Sequence, residues 1–356
     1  MQINDQVLNK ILIHENNSII DAITKLNTIS LKDDISRLIL FVINSNHKII
    51  GSLTDGDIRR SIMKDKDLNK KVNEICNYNF EKIYSSNEYV DLKSFRKKNI
   101  LILPVLNKDG SIKTFIDLKK VKAQLPLECV IMAGGRGKRL SPLTDSLPKP
   151  MLPLAKKPII EYNIDRLISF GVKKIYITIN YLGDIIKKYF KDGSSKGIEI
   201  IYIEEEKFLG TAGSLSLIKE IKTDSFILMN SDLFTDIDFE SMYLSHINEK
   251  ADFVVASKNY VHDVPYAIFE TNSNQIIKFK EKPTYIFKSN AGVYIIKTKL
   301  KDLIPNNKYF DITDLMSDLL EKKFKLIHNE INGYWIDIGS PNEYKLAKEL
   351  VKNFKK

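Results

Sequence analysis

The 356-residue sequence has few of the residues that build redox or zinc sites. Its only two cysteines, Cys76 and Cys129, are far apart and lack the paired spacing typical of zinc ligands. We expect both to be buried apolar side chains in a reducing compartment. The five histidines do not cluster along the chain, so the sequence indicates no histidine-based catalytic group.

Long apolar runs are also missing. No stretch of about eighteen apolar residues occurs, so we expect no membrane-spanning helix and no membrane partner. Residues 1–5 (MQIND) lack the basic and apolar regions of a secretory signal, which favours a cytoplasmic protein. A hydrophobic content of 43% and a charged content of 28% are typical of a globular protein, and 356 residues suggest two domains.

The formal net charge of +10 does not by itself identify a ligand. The lysines are spread along the chain rather than concentrated in one segment, so we expect no nucleic-acid partner. A positive field equally favours polyphosphate ligands. The charge is therefore compatible with a nucleotide-binding protein.

The sequence does contain a glycine-rich basic loop after a short apolar run. Val130–Ala133 predicts a buried strand, and residues 134–139 (GGRGKR) hold three glycines and three cations, which is the composition of a phosphate-binding loop. A Walker A loop is excluded, because Met132 stands where glycine is needed and Arg139 where serine or threonine is needed. A dinucleotide-binding loop is excluded because Leu140 replaces the required glycine or alanine.

The segment from Gly134 to Pro153 resembles the G-G-x-G-T-R-L-x-P-L-T…P-K-P signature of nucleotidyltransferases that act on sugar 1-phosphates. Lys138 is the one departure, since the family usually has threonine there. A solvated turn explains a short glycine motif, but this match continues without a gap through residues 149–153 (KPMLP). The resemblance implies transfer of a nucleoside monophosphate to a sugar 1-phosphate with release of pyrophosphate.

Downstream of the loop, predicted helices and strands alternate. The predicted helices cover 157–170, 184–190 and 211–221, and the predicted strands cover 174–179, 198–203 and 225–230. Repeated βαβ units predict an α/β fold with a doubly wound, mainly parallel sheet, the Rossmann-like nucleotidyltransferase domain, over residues 126–356. Ligands bind such sheets at the carboxyl ends of the strands.

The resemblance implies a nucleotide site built from the loop and from the Gly-Thr-Ala-Gly turn at 210–213. This form of the turn is associated more with guanylyl than with thymidylyl transfer, although an ordinary helix start explains it equally well. The implied nucleotide-binding residues are Ala133, Gly134, Gly135, Gly137, Gly210, Thr211, Ala212 and Gly213.

The resemblance also implies a Mg²⁺ site. Asp232 directly follows a predicted strand, and Asp337 lies in a Trp-x-Asp-x-Gly-Ser-Pro segment that supplies the family's second carboxylate. Two carboxylates suit a hard cation that bridges phosphate oxygens, whereas either aspartate alone could cap a turn. Arg139 is expected to bind the triphosphate and Lys149 the α-phosphate, so that Arg139, Lys149 and Asp232 form the catalytic set. An anionic nucleophile needs no general base, and catalysis then depends on charge neutralisation and positioning.

Two further segments of the chain, Glu281-Lys282-Pro283 and Ser289-Asn290-Ala291-Gly292, match sugar-binding segments of the family. The resemblance implies that Glu281 and Lys282 hold the sugar and its phosphate, and that the turn of Asn290 and Gly292 lines the sugar pocket. Without the family resemblance, Glu281 and Lys282 would be interpreted as an ordinary pair of surface charges. Ala267 stands where relatives often have glycine, which leaves the sugar open.

The first 125 residues contain an internal repeat. Residues 41–58 align with 103–118, residues 17–22 align with 87–92, and each copy predicts a helix, two strands and a second helix. Residues 1–125 resemble a tandem CBS α/β domain, because Thr54 and Asp57 have the spacing of a threonine and an aspartate in that family. In the family, this threonine and this aspartate contact the ribose of an adenine nucleotide. In the second copy Asp117 and Lys120 stand at these positions. A helix cap explains Thr54 and Asp57 equally well, in which case the module serves packing or dimerisation.

A nucleotidyltransferase with an N-terminal tandem CBS module resembles the guanylyltransferases of bacterial legionaminic acid biosynthesis. The leading hypothesis is therefore guanylyl transfer from GTP to glucosamine 1-phosphate by a homo-oligomer. Cytidylyl, uridylyl or thymidylyl transfer to mannose, heptose or glucose 1-phosphate is the alternative. A non-catalytic nucleotide-sensing subunit of the same fold is the alternative from another class.

Overall fold

The computed structural model describes residues 9–29, 38–85 and 89–353. The chain divides into two compact units, one of residues 1–126 with 168–171 and the other of 127–167 with 172–356. The helices of the described residues are α1 (Ile19–Thr28), α2 (Asp55–Asp65), α3 (Leu92–Lys97), α4 (Ile159–Ser169), α5 (Gly183–Phe190), α6 (Phe239–Asn248), α7 (Ile312–Glu321) and α8 (Pro341–Asn353). None of them is long and apolar enough to cross a membrane.

The strands of the described residues are β1 (Leu12–His14), β2 (Ile39–Ile43), β3 (Ile49–Thr54), β4 (Ile83–Tyr84), β5 (Ile102–Leu106), β6 (Ile112–Asp117), β7 (Glu128–Met132), β8 (Pro153–Leu154), β9 (Lys157–Pro158), β10 (Lys174–Ile179), β11 (Glu199–Glu204), β12 (Ser225–Asn230), β13 (Leu233–Thr235), β14 (Phe253–Asp263), β15 (Ile268–Asn272), β16 (Gln275–Lys280), β17 (Thr284–Lys297), β18 (Leu326–Glu330) and β19 (Trp335–Asp337).

A seven-stranded sheet in the order β11-β10-β7-β12-β17-β14-β18 organises the second unit. Its neighbours pair in parallel except around β17, which runs antiparallel to both β12 and β14. The prediction of a mainly parallel sheet is confirmed. Strand β7 lies inside the sheet, and Cys129, Val130 and Ile131 are fully buried because helices and loops cover both faces. Burial raises the pKa of the Cys129 thiol well above its usual value.

The predicted helix over 211–221 is wrong. Only a short 3-10 turn forms, over Gly213–Leu217. The N–H groups of Ala212 and Gly213 both donate to the Phe310 carbonyl, each at 2.9 Å. These hydrogen bonds hold the start of the segment against a distant part of the chain. Such a contact cannot be predicted from local helix signals.

The first unit contains two three-stranded sheets of the same design. In each, a short strand pairs in parallel with the first strand of a hairpin, giving the orders β1-β2-β3 and β4-β5-β6. Both hairpins carry an irregularity at the same place, after Val42 in one and after Val105 in the other. The repeat is therefore structural, but the second copy lacks its predicted second helix. The chain makes one turn there, in which Lys120 and Val121 donate to the Asp117 carbonyl.

Beyond an irregularity between Val255 and Ser257, β14 and β17 continue together as a two-stranded ribbon. The β15–β16 hairpin follows at the end of this ribbon. We call residues 259–288 the arm. The residues of β15 and β16 are exposed apart from the half-buried Ile268.

Candidate active site

A cavity of about 300 Å³ lies at the carboxyl ends of β7, β10 and β12. This is the sheet edge where the alternation of strands and helices predicts a ligand. The lining residues are Met132, Gly134, Gly135, Gly137, Lys138, Arg139, Lys149, Pro150, Thr178, Glu205, Phe208, Gly210, Thr211, Asn230, Ser231, Asp232 and Gly339.

The glycines of the loop are required for close approach. Gly137 has a φ of 62°, and a Cβ there would lie 2.9 Å from the Cβ of Lys149. Thr144 fixes this point of the chain by donating from its hydroxyl to the Gly137 carbonyl at 2.9 Å. A Cβ at Gly134 would lie 2.9 Å from Oε1 of Glu205, whereas one at Gly135 would meet nothing within 4 Å. The loop is thus packed on one side and open at Gly135.

Two aspartates meet beside the loop although 105 positions separate them in the sequence. Strands β13 and β19 pair antiparallel with Leu233 opposite Asp337, and the Ile338 amide donates to the Asp232 carbonyl at 3.1 Å. The Lys149 ammonium donates to Asp232 Oδ2 and lies 4.0 Å from Asp337 Oδ1. The tertiary fold therefore assembles one cation and two carboxylates.

The electrostatics of this cluster are unusual. The Lys149 side chain is only 11% exposed. Burial, and secondarily the charge of Asp232, raise the pKa of the Asp337 carboxyl, against opposing effects of Lys149 and Arg139. Oδ1 of Asp232 and Oδ1 of Asp337 are buried without a hydrogen-bond partner. Two carboxylate oxygens in this condition favour an additional cation.

Arg139 lies on the same side of the cavity as the Lys149, Asp232 and Asp337 cluster. It belongs to a short 3-10 turn, Lys138–Leu140, and its guanidinium would be 3.2 Å from a Cβ at Gly339. The Gly339 amide donates to Glu343 at 2.9 Å, which ties the segment after Asp337 to the start of α8. A glycine at position 339 thus leaves room for the arginine beside the acidic pair.

The Gly-Thr-Ala-Gly turn contributes only part of its residues to the cavity. Gly210 and Thr211 line it, whereas Ala212 is fully buried and Gly213 packs against the Lys308 carbonyl. Thr211 is held by Asp311, whose Oδ1 accepts hydrogen bonds from its amide and its hydroxyl, each at 2.9 Å. Ala133 also lies behind the cavity wall, with its amide donating to Thr178. Ala133, Ala212 and Gly213 therefore do not line the cavity, and their roles in nucleotide binding stay predictions.

The sugar-binding candidates fall into two groups. Gly292, with a φ of 70°, packs against the Asn230 side chain at the cavity wall, and its amide donates to Asn290 at 2.9 Å. Glu281 and Lys282 lie instead on the arm, where both are exposed, and neither lines the cavity. The predicted turn of Asn290 and Gly292 is instead part of strand β17, beside Asn230 of the cavity wall. The sugar-binding role of all four residues stays a prediction.

Glu205 was not predicted from the sequence. It directly follows β11, is buried, lines the cavity and accepts a hydrogen bond from the Leu209 amide at 3.2 Å. Burial raises the pKa of its carboxyl, against the lowering effect of the Leu209 amide. Its one sequence signal is a position at the end of a predicted strand, five residues before Gly210. The neighbouring glutamates, Glu204 and Glu206, conceal that signal.

In the N-terminal unit, Thr54 and Asp57 form the cap of α2. The Thr54 hydroxyl donates to Asp57 Oδ2 at 2.6 Å, and the Asp57 amide donates back to Thr54. Arg60 occupies the other carboxylate oxygen at 2.6 Å. Both residues also line a cavity of about 250 Å³ with the aromatic rings of Phe41 and Phe80. Thr54 and Asp57 thus form a helix cap, and the adjoining cavity leaves space for a ligand beside them.

A family profile for nucleotidyl transferases matches residues 128–353. The chain belongs to the nucleotidyl transferase family. The family prediction from the glycine-rich loop is thereby confirmed for the C-terminal part of the chain. The match begins after the N-terminal repeat, whose resemblance to CBS domains stays a prediction.

Individual relatives agree with this assignment. Mannose-1-phosphate guanyltransferase beta-A of Xenopus laevis is 32% identical over 229 residues, which cover 61% of this chain and 62% of the relative. UTP–glucose-1-phosphate uridylyltransferase of Synechocystis is 29% identical over 238 residues, 61% of each protein. The match spans about three fifths of the length of these curated relatives. HddC from Yersinia pseudotuberculosis, solved in complex with GMP-PN, has a TM-score of 0.51 at 25% identity, covering 63% of this chain and 99% of that one.

Proposed function

We propose that the chain transfers a nucleoside monophosphate from a nucleoside triphosphate to a sugar 1-phosphate. One observation carries the proposal, namely that Lys149 contacts Asp232 and lies 4.0 Å from Asp337 beside a glycine-lined cavity. Phosphoryl transfer depends on neutralising and positioning charged oxygens rather than on a general base. A buried cation with two carboxylates suits that chemistry, and so do the activities named for the relatives.

The residues present fit Mg²⁺. In the described parts of the chain no group of three or more His, Cys, Asp or Glu side chains could hold a metal. Mg²⁺ rarely needs such a cage, because it keeps several waters and combines one or two carboxylates with substrate phosphates. The unpartnered oxygens of Asp232 and Asp337 match this requirement. When bound there, the ion would screen the negative charge of the phosphates.

The chain's own residues then position the reactants. The Gly134–Gly137 loop would hold the triphosphate with its backbone amides, and Arg139 would add charge. A phosphate oxygen of the sugar 1-phosphate attacks the α-phosphorus, the bond from the α-phosphorus to the bridging oxygen breaks, and pyrophosphate leaves with that oxygen. Lys149 would stabilise the charge that accumulates on the α-phosphate oxygens.

We propose guanine as the base, and Glu205 supports this choice. A carboxylate only accepts hydrogen bonds, and guanine presents two adjacent donors, N1–H and the 2-amino group. Uracil and thymine present one donor between two carbonyl oxygens, which a carboxylate repels. A base that donates twice would also favour the charged form of Glu205 against the burial that raises its pKa.

Pyrophosphate release, measured for four triphosphates against several sugar 1-phosphates, tests the activity and the base. GTP should give the highest kcat/KM, and Glu205→Gln should lower that value about 10- to 100-fold, as expected for a lost hydrogen bond to a charged group. Glu204→Gln is the matched control, because Glu204 is exposed and pairs with Lys187. Preference for another base would contradict the role of Glu205. No release with any pair would contradict the activity and favour the non-catalytic subunit.

The proposed acceptor is glucosamine 1-phosphate, as the two-domain organisation suggests. Mannose, heptose and glucose 1-phosphates are the alternatives in the same assay, since mannose 1-phosphate and glucose 1-phosphate appear in the names of the relatives. A clear preference for one of these would replace glucosamine 1-phosphate without affecting the reaction class.

We also propose that the N-terminal unit binds a regulatory nucleotide as a CBS module does. The cavity beside Thr54 and Asp57, with two aromatic rings in its wall, supports this second function. A ligand ribose would compete with Arg60 for the Asp57 carboxylate. ATP, AMP or GTP should therefore raise the unfolding temperature, and Asp57→Asn should abolish the shift. An unchanged temperature with all three would leave packing or dimerisation as the role of this unit.

A further inference from the structure

The backbone around Asp232 is held by hydrogen bonds to three successive carbonyl groups. The side-chain amide of Asn163 donates to the carbonyls of Ser231 and Leu233, at 3.4 and 2.9 Å. The carbonyl between them, that of Asp232 itself, accepts from the Ile338 amide at 3.1 Å. Asn163 therefore holds the chain on both sides of a carboxylate of the proposed Mg²⁺ site.

Asn163 is an unusual residue for its place in the core. It lies on α4 and is only 2% exposed, and the core positions around it on the same helix, Ile160, Ile164 and Leu167, are apolar and fully buried. A leucine of similar shape would fill the space without the cost of burying an amide. The two N–H donors of the asparagine are explained by the two carbonyls that they bind, rather than by packing.

We propose that Asn163 is a positioning residue that sets where the Asp232 carboxylate lies, a role that rests on the proposed function, in which Asp232 and Asp337 hold Mg²⁺. Leu233 pairs with Asp337 between β13 and β19. The hydrogen bond from Asn163 to Leu233 thus also fixes the strand pair on which the second carboxylate lies. Removing a group that orients a metal ligand typically lowers metal affinity or activity about 10- to 100-fold.

The position of this backbone matters because the two carboxylate oxygens of Asp232 have different surroundings. Oδ2 accepts from the Lys149 ammonium, whereas Oδ1 is buried without a hydrogen-bond partner. A backbone free to rotate at residue 232 would let Oδ1 turn toward Lys149 as well, and the oxygen available to a metal ion would be lost. A displacement of about 1 Å at a reacting group is enough to lower a rate about 10²-fold.

Arg166 provides a matched control on the same helix. It follows Asn163 by one turn and also donates to two backbone carbonyls of the same segment, those of Asp236 and Ile237. These carbonyls lie beyond β13 and do not flank Asp232. Loss of Arg166 should therefore destabilise the fold without moving the carboxylate.

Metal binding tests the proposal without turnover. Mn²⁺ titrated into the full-length protein and followed by electron paramagnetic resonance should bind Asn163→Leu at least about 10-fold more weakly than the wild type. Arg166→Leu should bind Mn²⁺ like the wild type although it unfolds at a lower temperature. The milder Asn163→Ser and Arg166→Lys replace these variants if either does not fold. Equal affinities of the wild type and the Asn163 variant, or equal losses in both variants, would overturn the proposal.

Thermal unfolding in EDTA separates the positioning role from the proposed function. If Asn163 holds Asp232 against Lys149, a variant that combines the Asn163 substitution with Asp232→Asn should lose less stability than the sum of the two single losses. The Arg166 substitution and Asp232→Asn should be additive. Additive losses for Asn163 would refute the positioning role, whether or not the chain binds a metal. Non-additive losses in a protein that binds no Mn²⁺ would support the positioning role and contradict the metal site of the proposed function.

Discussion

Replacing Lys149 by methionine removes a charge from the proposed site while keeping most of the side-chain volume. The ammonium of Lys149 contacts Asp232 and lies 4.0 Å from Asp337, and its side chain is only 11% exposed. Lys149→Met therefore leaves two carboxylates beside each other without their nearest cation. Both turnover and stability should respond.

The expected magnitudes follow from this burial. Loss of one preorganised charge at the reacting phosphate should lower kcat about 10²–10³-fold, equivalent to ~2.7–4 kcal/mol. Breaking a buried ion pair from one side typically costs ~3–5 kcal/mol of stability. The more open carboxylate of Asp337, with 41% of its side chain exposed, favours the lower end of that range. Added Mg²⁺ should restore part of the stability, because it supplies charge to Asp232 and Asp337, but not the turnover.

The assays are pyrophosphate release and thermal unfolding, each with EDTA and with Mg²⁺. Lys157→Met is the matched control, since Lys157 pairs with Asp165 but has 44% of its side chain exposed and does not line the cavity. That control should change stability by no more than ~1 kcal/mol and leave turnover near normal. Near-normal turnover of a folded Lys149→Met protein would refute the assigned role. Equal effects at Lys149 and Lys157 would refute the electrostatic explanation.

Three other predictions address the surroundings of the cluster. Because the pKa of Asp337 is raised, the folded chain keeps this carboxyl protonated at pH values above the usual pKa near 3.9. In EDTA, the stability of the wild type should therefore fall relative to that of Asp337→Asn as the pH rises from about 4. Added Mg²⁺ should stabilise only the wild type. Gly137→Ala should lower turnover and cost ~1–2 kcal/mol of stability, because the residue has a positive φ and its new Cβ would lie too close to Lys149. Gly135→Ala, with open space around it, should unfold like the wild type. Asp311→Ala should raise the KM for the triphosphate more than it lowers kcat, because it frees Thr211 in the cavity wall; an unchanged KM would show that the turn is held without Asp311.

Local patterns in the sequence were sufficient for the loop and most of the core strands. The apolar run ending at Met132 forms a buried strand, and the glycines and cations after it form the loop at the sheet edge. Strands β10 and β12 have their predicted bounds, because an apolar run bounded by turn residues is a pattern of neighbouring residues that can be read directly from the sequence. The resemblance to sugar-1-phosphate nucleotidyltransferases rested on the same contiguous residues, and it led to the correct family.

Contacts between distant segments decided the rest. The predicted helix after Gly210 is replaced by a short turn because the carbonyl of Phe310, which is distant in the sequence, accepts hydrogen bonds from the amides of Ala212 and Gly213. Glu205 is distinguished from its exposed neighbour Glu204 only by burial against the loop. The exposure of the arm likewise has no local signature, since its strands contain adjacent apolar residues such as Tyr260-Val261 and Ile276-Ile277, as a buried strand does.

The sequence by itself determined which residues could carry the chemistry, because residue type and the order of strands and turns are local properties. It named both Asp232 and Asp337 but gave no distance between them. Only the tertiary structure, through the pairing of β13 with β19, brought the two carboxylates and Lys149 together, since the meeting of side chains 105 positions apart depends on packing across the whole sheet.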